Sequence, residues 1–407
     1  QDFHKTYPRS ECGQGLSTAL LVVMRDGHKD PSSKKAVVFG GLGQLGQRFV
    51  KIAEKCPDYH SIVIADVRAP PPALAKDVDS GKVSFAVHRL GDDPISALVT
   101  LLQGADCVFS AVTAPLNQAT AQEFYRSNVE GIQELVDACK QAKSVKGLVF
   151  LSSIAVTDHS RAKVDVKESD PLPPLDGYKN LYDKTKRLGE DLVLAADEKG
   201  RLRTCALRPT GILISPRDSV FGNFLGAVPG VIIAPASPSP PMDFIDADDL
   251  CRCMVLAGSK LLKEPDAIGG QAFFVSKGDT VSAKRLGEIT AQRMGWPFFA
   301  LPASVHAGLV TMMQWVYNFR KAVGLPVKGV PDHIFWTFYR MEMTCNNSKV
   351  REVLGFHSSV TLQQSVDRIV EQYCSERPCW KSAPFFWSSL LLPVAVTALF
   401  IADRRKK

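Results

Sequence analysis

The run Val37-Val38-Phe39-Gly40-Gly41-Leu42-Gly43-Gln44-Leu45-Gly46 constrains this chain more than any other. A short apolar stretch ends in glycines at 40, 43 and 46 and opens into a helical pattern through Leu45, Phe49, Val50 and Ala53. A side chain at 40 would block the tight turn after the strand. One at 43 would hold a pyrophosphate off the backbone, and one at 46 would push helix from strand. The free N–H groups and dipole of the helix N-terminus favour an anion there. The loop therefore predicts a dinucleotide cradled by Gly40, Gly43, Gln44, Leu45 and Gly46.

Asp66 lies twenty residues after Gly46, at the end of a second β-rich run, Ser61–Ala65. A carboxylate there can accept hydrogen bonds from both ribose hydroxyls and repels a 2′-phosphate, which favours NAD and makes NADP the weaker expectation. Arg68, two residues on, acts in the opposite direction. The alternative for Asp66 is an aspartate of a surface turn.

Further strands are expected at Val83–Val87, Cys107–Val112, Gly147–Ser152 and Thr204–Leu207, with helices from about 119 to 141 and at Tyr182–Ala196. Strands alternating with helices imply right-handed βαβ units, an α/β chain and a Rossmann-type doubly wound parallel sheet. The expected organisation is a polar leader over 1–35, a dinucleotide-binding domain over 36–215, a smaller substrate lobe over 216–380, and a hydrophobic membrane segment with a basic tail over 381–407. Residue 1 is Gln, not Met, so the leader is expected to be incomplete. The lobe begins with a Gly-, Pro- and Ser-rich stretch, 216–242. Gln271–Val275 reads as a late strand returning to the core, and 283–295 and 361–373 read as amphipathic helices.

Tyr182-Asp183-Lys184-Thr185-Lys186 puts Tyr182 and Lys186 at i and i+4, on one helix face. A free phenol, with a pKa of about 10, is a poor base at neutral pH, and a nearby ammonium stabilises its phenolate. Ser153 ends the fifth strand, and ligands in such sheets bind beyond the carboxyl ends of the strands. Ser153, Tyr182 and Lys186 are therefore the candidate catalytic set. Tyr178 is excluded as the base, because its own i+4 partner is Tyr182. The sequence offers no metal-binding cluster.

With the glycine loop, Asp66, Asn128-Val129-Glu130-Gly131, Ser152-Ser153, Tyr182/Lys186 and Leu207-Arg208-Pro209, the chain resembles an extended short-chain dehydrogenase/reductase. It is similar, more narrowly, to the 3β-hydroxysteroid dehydrogenase/isomerase family, and within it looks most like the sterol-4α-carboxylate 3-dehydrogenases (decarboxylating). The narrower likeness rests on Arg208-Pro209-Thr210-Gly211, Asp243-Phe244-Ile245, Gly270-Gln271-Ala272-Phe273-Phe274, Asn347-Ser348-Lys349 with Leu354-Gly355-Phe356, and the apolar run after Met294-Gly295. The resemblance implies that Ser153 hydrogen-bonds the substrate oxygen, Tyr182 is the acid/base, and Lys186 holds the nicotinamide ribose. It implies too that Pro209 packs near the nicotinamide and Asp92 contacts adenine. Three stretches depart from the family's usual pattern: Gln44-Leu45 in the glycine loop, Ile214-Ser215-Pro216 after the Arg-Pro strand, and Ser110-Ala111-Val112 at the end of the fourth strand, which lacks the common histidine. The expected reaction is NAD-dependent oxidation of a sterol 3β-hydroxyl. The alternatives are a steroid dehydrogenase/isomerase, a flavonoid-type reductase, or a non-catalytic NAD-binding scaffold.

Charge and cysteines bear on partners and location. The net charge of +7 sits partly in 403–407 and in the leader, and no basic block with interleaved aromatics is present, so nucleic acid is not an expected partner. Ten scattered cysteines without a CxxC motif fit reduced thiols on the cytosolic side. Ser382–Ala402 contains no Asp, Glu, Lys or Arg over 21 residues. As a helix it reaches roughly 31 Å, enough for one crossing of a hydrocarbon core of about 30 Å. Pro393 and the basic end favour a hairpin dipping in from the cytosol, but its turn must find hydrogen bonds in a poorly hydrated layer, which keeps the single crossing slightly ahead. Either topology predicts an endoplasmic-reticulum membrane protein with its catalytic domain in the cytosol. Met294–Phe319, also free of charge over 26 residues, is expected either as an interfacial patch or as a helix packed in the lobe. The oligomeric state is open, a homodimer included.

Overall fold

Ala36 and Val38 point to one face of the first strand and Val37 and Phe39 to the other, and all four are buried. A strand apolar on both faces needs cover on both sides, the situation of a parallel sheet between helical layers. The computed structural model describes residues 34–376 apart from 73, 75–80, 115–118, 159, 217, 219, 222–229, 237–238 and 326–340. The first 33 residues of the expected leader and the expected membrane segment, Ser382–Ala402, lie outside the described residues.

Seven strands form the main sheet: β1 (Lys34–Phe39), β2 (Tyr59–Asp66), β3 (Val83–Val87), β4 (Cys107–Ser110), β5 (Gly147–Leu151), β6 (Arg203–Pro209) and β7 (Gln271–Val275). All are parallel, in the order 7-6-5-4-1-2-3. The order reverses between β1 and β4, which opens a crevice beyond their carboxyl ends. Helices α1 (Gln44–Glu54) and α6 (Ala247–Lys263) cover one face. Helices α2 (Ile95–Leu102), α4 (Gly131–Gln141) and α5 (Leu181–Ala195) cover the other. The short α3 (Ala121–Tyr125) precedes α4. Phe49 of α1 and Phe109 of β4 pack with ring centroids 4.7 Å apart, and Tyr59 meets Phe109 edge-on at 5.9 Å. Each such buried ring contributes about 1.5–3 kcal/mol. Gly258 lets α6 approach them, since a Cβ there would lie 2.4 Å from the Phe109 ring.

β1 starts at Lys34, so the last two residues of the expected leader belong to the sheet. The single helix expected over 119–141 is instead α3, a wide π turn at Arg126–Glu130, and α4. β7 joins the sheet beside β6, as its pattern implied.

The remaining elements form a second layer with its own core of Ile232, Phe244, Leu286, Val366, Ile369 and neighbours. Strand Ile232–Pro235 pairs in parallel with Phe298–Leu301. Helices α7 (Ala283–Met294) and α10 (Leu362–Glu376) are the two expected amphipathic helices, and Trp296 meets Tyr373 of α10 edge-on at 5.8 Å. Between them lie α8 (Ala303–Ala322) and α9 (Ser348–Leu354). α9 sends Val350 and Leu354 into the main core, so the lobe is interleaved with the sheet domain. Among the described residues, no helix is long and apolar enough to cross a membrane.

Candidate active site

The carboxyl edge of β1 turns through Gly40, whose φ of +76° is the left-handed conformation that glycine adopts without strain. A Cβ at Gly40 would lie 2.9 Å from the Ala111 carbonyl oxygen after β4, and one at Gly46 would lie 2.3 Å from the Gly40 carbonyl oxygen. A Cβ at Gly43 would meet only the Gly40 carbonyl oxygen, at 3.1 Å. Gly43 is the N-cap of α1, has no side-chain cap, and no acid stands in the first turn. The loop is thus bare backbone with an N-terminus open to an anion, and it fits a dinucleotide pyrophosphate. Leu45 is buried in the core beneath α1, so at that position only the main chain is open to a ligand. The Gln44 side chain accepts a hydrogen bond from the Ser215 hydroxyl at 2.7 Å.

Asp66 sits at the end of β2, beside this loop. Its Oδ2 accepts from the Leu42 N–H at 3.0 Å, and its Oδ1 accepts from the Arg68 Nε–H at 3.0 Å and the Arg68 N–H at 3.2 Å. The carboxylate therefore braces the glycine loop as well as facing the site, and the exposed Arg68 side chain is drawn onto it. Asp92, expected at the adenine, forms ion pairs with Arg126 and, at 3.6 Å, with Arg89. Arg126 also donates to the Gly91 carbonyl at 2.7 Å.

Ser153 follows β5 in extended backbone and caps a short 3₁₀ turn, its hydroxyl accepting from the Ala155 N–H at 3.1 Å. The Ser153 hydroxyl lies close enough to the Tyr182 phenol to favour its ionised form. Tyr182 is in the first turn of α5, which Asn180 caps by accepting from the Asp183 N–H at 2.8 Å. Lys186, one turn on, is buried, and its Nζ donates to the Leu151 carbonyl at 2.9 Å and the Val112 carbonyl at 3.3 Å. Those carbonyls end β5 and follow β4, so the ammonium sits beyond the carboxyl ends of these two strands. The three side chains expected to act together are brought together.

Their electrostatics differ from the simple expectation. Burial pushes the Tyr182 phenol up to about 12, opposed by the Ser153 hydrogen bond and reinforced by Asp183. Burial also pushes the Lys186 ammonium down to about 8, opposed by Glu190. The phenol is thus raised rather than lowered: desolvation dominates, and the Lys186 ammonium is engaged by strand-end carbonyls. Tyr178 is occupied elsewhere, donating its hydroxyl to the Val156 carbonyl at 2.5 Å. Pro209 is buried at the end of β6, in register with Val275.

Three features of the site needed the structure. Glu190, a turn beyond Lys186, accepts two hydrogen bonds from Arg208 Nε at 3.0 and 3.2 Å and one from Nη2 at 2.7 Å, both side chains being buried. The Arg208 guanidinium also lies 5.2 Å from the Phe274 ring centroid. Asn128, in the π turn, accepts from the Ala114 N–H at 3.1 Å and donates to Thr185 Oγ at 3.0 Å, tying the loop after β4 to α5. Such π turns often mark functional sites. The buried Ser152 hydroxyl beside Ser153 has no partner among the described residues.

A family profile described as 3-beta hydroxysteroid dehydrogenase/isomerase family matches residues 37–295, from β1 through α7. The chain belongs to this family. It has curated relatives at low identity over most of its length. A "3beta-hydroxysteroid-dehydrogenase/decarboxylase isoform 1" of Arabidopsis thaliana is 25% identical over 360 residues, covering 83% of this chain and 79% of that one. A "sterol-4-alpha-carboxylate 3-dehydrogenase, decarboxylating" of Mus musculus is 25% identical, covering 84% and 91%. A "short-chain dehydrogenase/reductase family 42E member 1" of Danio rerio is 26% identical, covering 90% and 95%. Among solved structures, MoeE5 in complex with UDP-glucuronic acid and NAD is 20% identical with a TM-score of 0.61, covering 84% of this chain and 99% of that one. DesIV, a dTDP-glucose 4,6-dehydratase from Streptomyces venezuelae with NAD and TYD bound, is 19% identical with a TM-score of 0.62, covering 85% and 98%. These two share its fold.

Proposed function

We propose that this chain is an NAD-dependent dehydrogenase that oxidises the 3β-hydroxyl of a sterol bearing a 4α-carboxylate, with loss of that carboxylate as carbon dioxide. The observation that carries the reading is Ser153 beside Tyr182, with Lys186 one helical turn on, at the carboxyl edge of a sheet whose glycine loop fits a pyrophosphate. The substrate class comes from relatives named as decarboxylating sterol-4-alpha-carboxylate dehydrogenases.

Gly40, Gly43, the main chain at Gln44 and Leu45, and Gly46 hold the pyrophosphate. Asp66 takes the adenosine ribose, Asp92 borders the adenine, and Pro209 closes one side of the nicotinamide pocket. Bound NAD supplies the acceptor for the hydride from C3. Ser153 donates to the substrate oxygen and fixes it beside Tyr182. Tyr182 removes the hydroxyl proton as the C3–H bond breaks. Lys186 holds the nicotinamide ribose and offsets charge on the phenolate. The product is a β-keto acid, which loses carbon dioxide because the electron pair of the breaking bond passes into the ketone as an enolate. That step asks no further group of the protein. Asp66 favours NAD over NADP through repulsion of a 2′-phosphate.

A membrane location is part of the same reading. Ser382–Ala402 anchors the chain in the endoplasmic reticulum with the sheet domain in the cytosol, which suits a substrate that partitions into lipid. The experiment is NADH formation, with carbon dioxide release measured in parallel, across 3β-hydroxysterols with and without a 4α-carboxylate. Both signals with the carboxylated sterols support the proposal. NADH without carbon dioxide from uncarboxylated steroids points to a steroid dehydrogenase/isomerase, and no NADH from any of them removes the reading.

A further inference from the structure

Two arginines from distant parts of the chain grip one short stretch of main chain. Strand Gly211–Leu213 pairs in parallel with Phe244–Asp246, and Ile214 and Ser215 follow it. Arg368 of α10 donates from Nη2 to the Leu213 carbonyl at 3.3 Å. Arg48 of α1 donates from Nη2 to the next carbonyl, that of Ile214, at 3.0 Å. Both guanidiniums also meet Asp248 in the first turn of α6: Arg48 Nη1 lies 3.0 Å from Oδ1, and Arg368 Nη1 lies 3.1 Å from Oδ2. The buried Asp246 holds Arg368 further, its Oδ2 accepting from Nη2 at 2.7 Å and from the Ser365 hydroxyl at 2.5 Å. A guanidinium presents its donors in a rigid fork, so each arginine binds a carboxylate and a carbonyl at once.

We propose that Arg48, Asp248 and Arg368 are positioning residues that couple the NAD site to sterol binding by clamping Leu213-Ile214 between α1 and α10. The place of the clamp carries the inference. Upstream, Pro209 ends β6 only four residues before Leu213. Downstream, the lobe begins at residue 216. α1 opens at the glycine loop, with Gln44 as its first residue and Arg48 one turn on. α10 belongs to the lobe, and its Val366, Ile369 and Val370 are part of the lobe core. The helix whose N-terminus fits the pyrophosphate and a helix of the lobe therefore hold adjacent carbonyls and share one carboxylate. An anion that fixes the N-terminus of α1 fixes Arg48, and with it Ile214 and Asp248. Asp248 passes the restraint to Arg368 and so to α10. The three side chains are 24%, 32% and 27% exposed, so salt screens these contacts less than it does an open surface pair.

The inference rests on the proposed function for its two ligands and goes beyond it in giving a role to residues outside both sites. Coupling of this kind is reciprocal: the factor by which the dinucleotide tightens sterol binding is the factor by which the sterol tightens dinucleotide binding.

The test uses ADP-ribose, which carries the adenosine, pyrophosphate and second ribose of NAD but no nicotinamide. It fills the glycine loop, offers a sterol no nicotinamide ring to touch and accepts no hydride, so binding is read at equilibrium. The dissociation constant of a 4α-carboxy-3β-hydroxysterol is measured by isothermal titration on the full-length protein, with and without saturating ADP-ribose. The proteins are wild type, Arg48→Met and Asp248→Asn. Asp248→Asn keeps the side-chain shape and leaves Arg368 on Asp246, so it preserves the fold even if Arg48→Met does not. ADP-ribose is expected to tighten sterol binding about 5-fold or more in wild type and less than about 2-fold in the variants. Titrating ADP-ribose with and without the sterol should return the same factors. A merely structural role weakens sterol binding equally in both conditions and keeps the wild-type ratio, which overturns the proposal. A wild-type ratio near one overturns the clamp and leaves the proposed function standing. A wild type that binds neither NAD nor any sterol removes that function and the clamp with it.

Discussion

The Ser215 hydroxyl donates to Gln44 Oε1 at 2.7 Å, joining the end of the dinucleotide-binding stretch to the first helical position after the glycine turn. Arg48, a turn along α1, reinforces the join by donating to the Ile214 carbonyl at 3.0 Å and pairing with Asp248 at 3.0 Å. Both partners of the first bond belong to stretches that depart from the family's usual pattern, so two of the three departures meet at one contact. Ser215→Ala should raise the dissociation constant for NAD about 2- to 10-fold, the size of one neutral hydrogen bond, with turnover little changed. Isothermal titration with NAD checks it, and an unchanged affinity would show that the contact does not shape the loop.

Asp66 has two tasks in the structure, holding the Leu42 N–H and restraining Arg68. Asp66→Ala removes the carboxylate that repels a 2′-phosphate and frees a guanidinium to meet one. The ratio of kcat/KM for NADP to that for NAD should rise roughly ten-fold or more. A wild-type enzyme that already prefers NADP would place Arg68, not Asp66, in control.

The parts of the site that were legible in the sequence are those encoded by short spacing. Gly40, Gly43 and Gly46 sit on one turn, and Tyr182 and Lys186 share one helix face, so local geometry alone aligns them. The Glu190–Arg208 pair was not legible as a pair, although Glu190 stands four residues after Lys186, because β6 must first lie beside α5. The π turn at Asn128 was hidden for a related reason: an extra residue within a helix leaves the apolar periodicity nearly intact. α6 was missed because glycine, cysteines and alanine occupy much of its buried face, Cys251, Cys253, Ala257 and Gly258 among them, and a small-residue face gives a weak apolar signal. Asp92 follows β3 as the sequence places it, but its pairing with Arg126 was not legible, because it depends on the packing of that same π turn.

Glu190→Gln leaves Arg208 buried without a counter-charge. The variant should lose about 3–5 kcal/mol of stability, as expected for breaking a buried pair from one side. Glu190→Gln combined with Arg208→Met should recover much of it. Denaturant unfolding of the three proteins checks the pair, and a single variant within about 1 kcal/mol of wild type, the range of an exposed pair, would mean that the pair is effectively solvated.

Lys186 titrates near 8 in the folded protein, below its unfolded value of about 10.4. Between these values the unfolded chain holds a proton that the native state has released, so this residue makes stability rise with pH across that window. The buried thiols of Cys107, Cys139 and Cys205, pushed up by burial, act in the opposite direction. The Lys186 contribution is therefore read as the difference between wild type and Lys186→Met. That difference should shift in favour of wild type from pH 8 to 10, and a flat difference would show that the ammonium is not desolvated.

The account stands or falls on Tyr182 as the acid/base. The direct measurement is single-turnover NADH formation from a 4α-carboxy-3β-hydroxysterol by wild type and Tyr182→Phe, with NAD binding measured on the same samples. The variant keeps the ring on α5 and removes only the ionisable group. NADH formation should slow by about 10²- to 10⁴-fold while NAD affinity is retained. A variant that binds NAD and turns over the sterol at close to the wild-type rate would contradict the account.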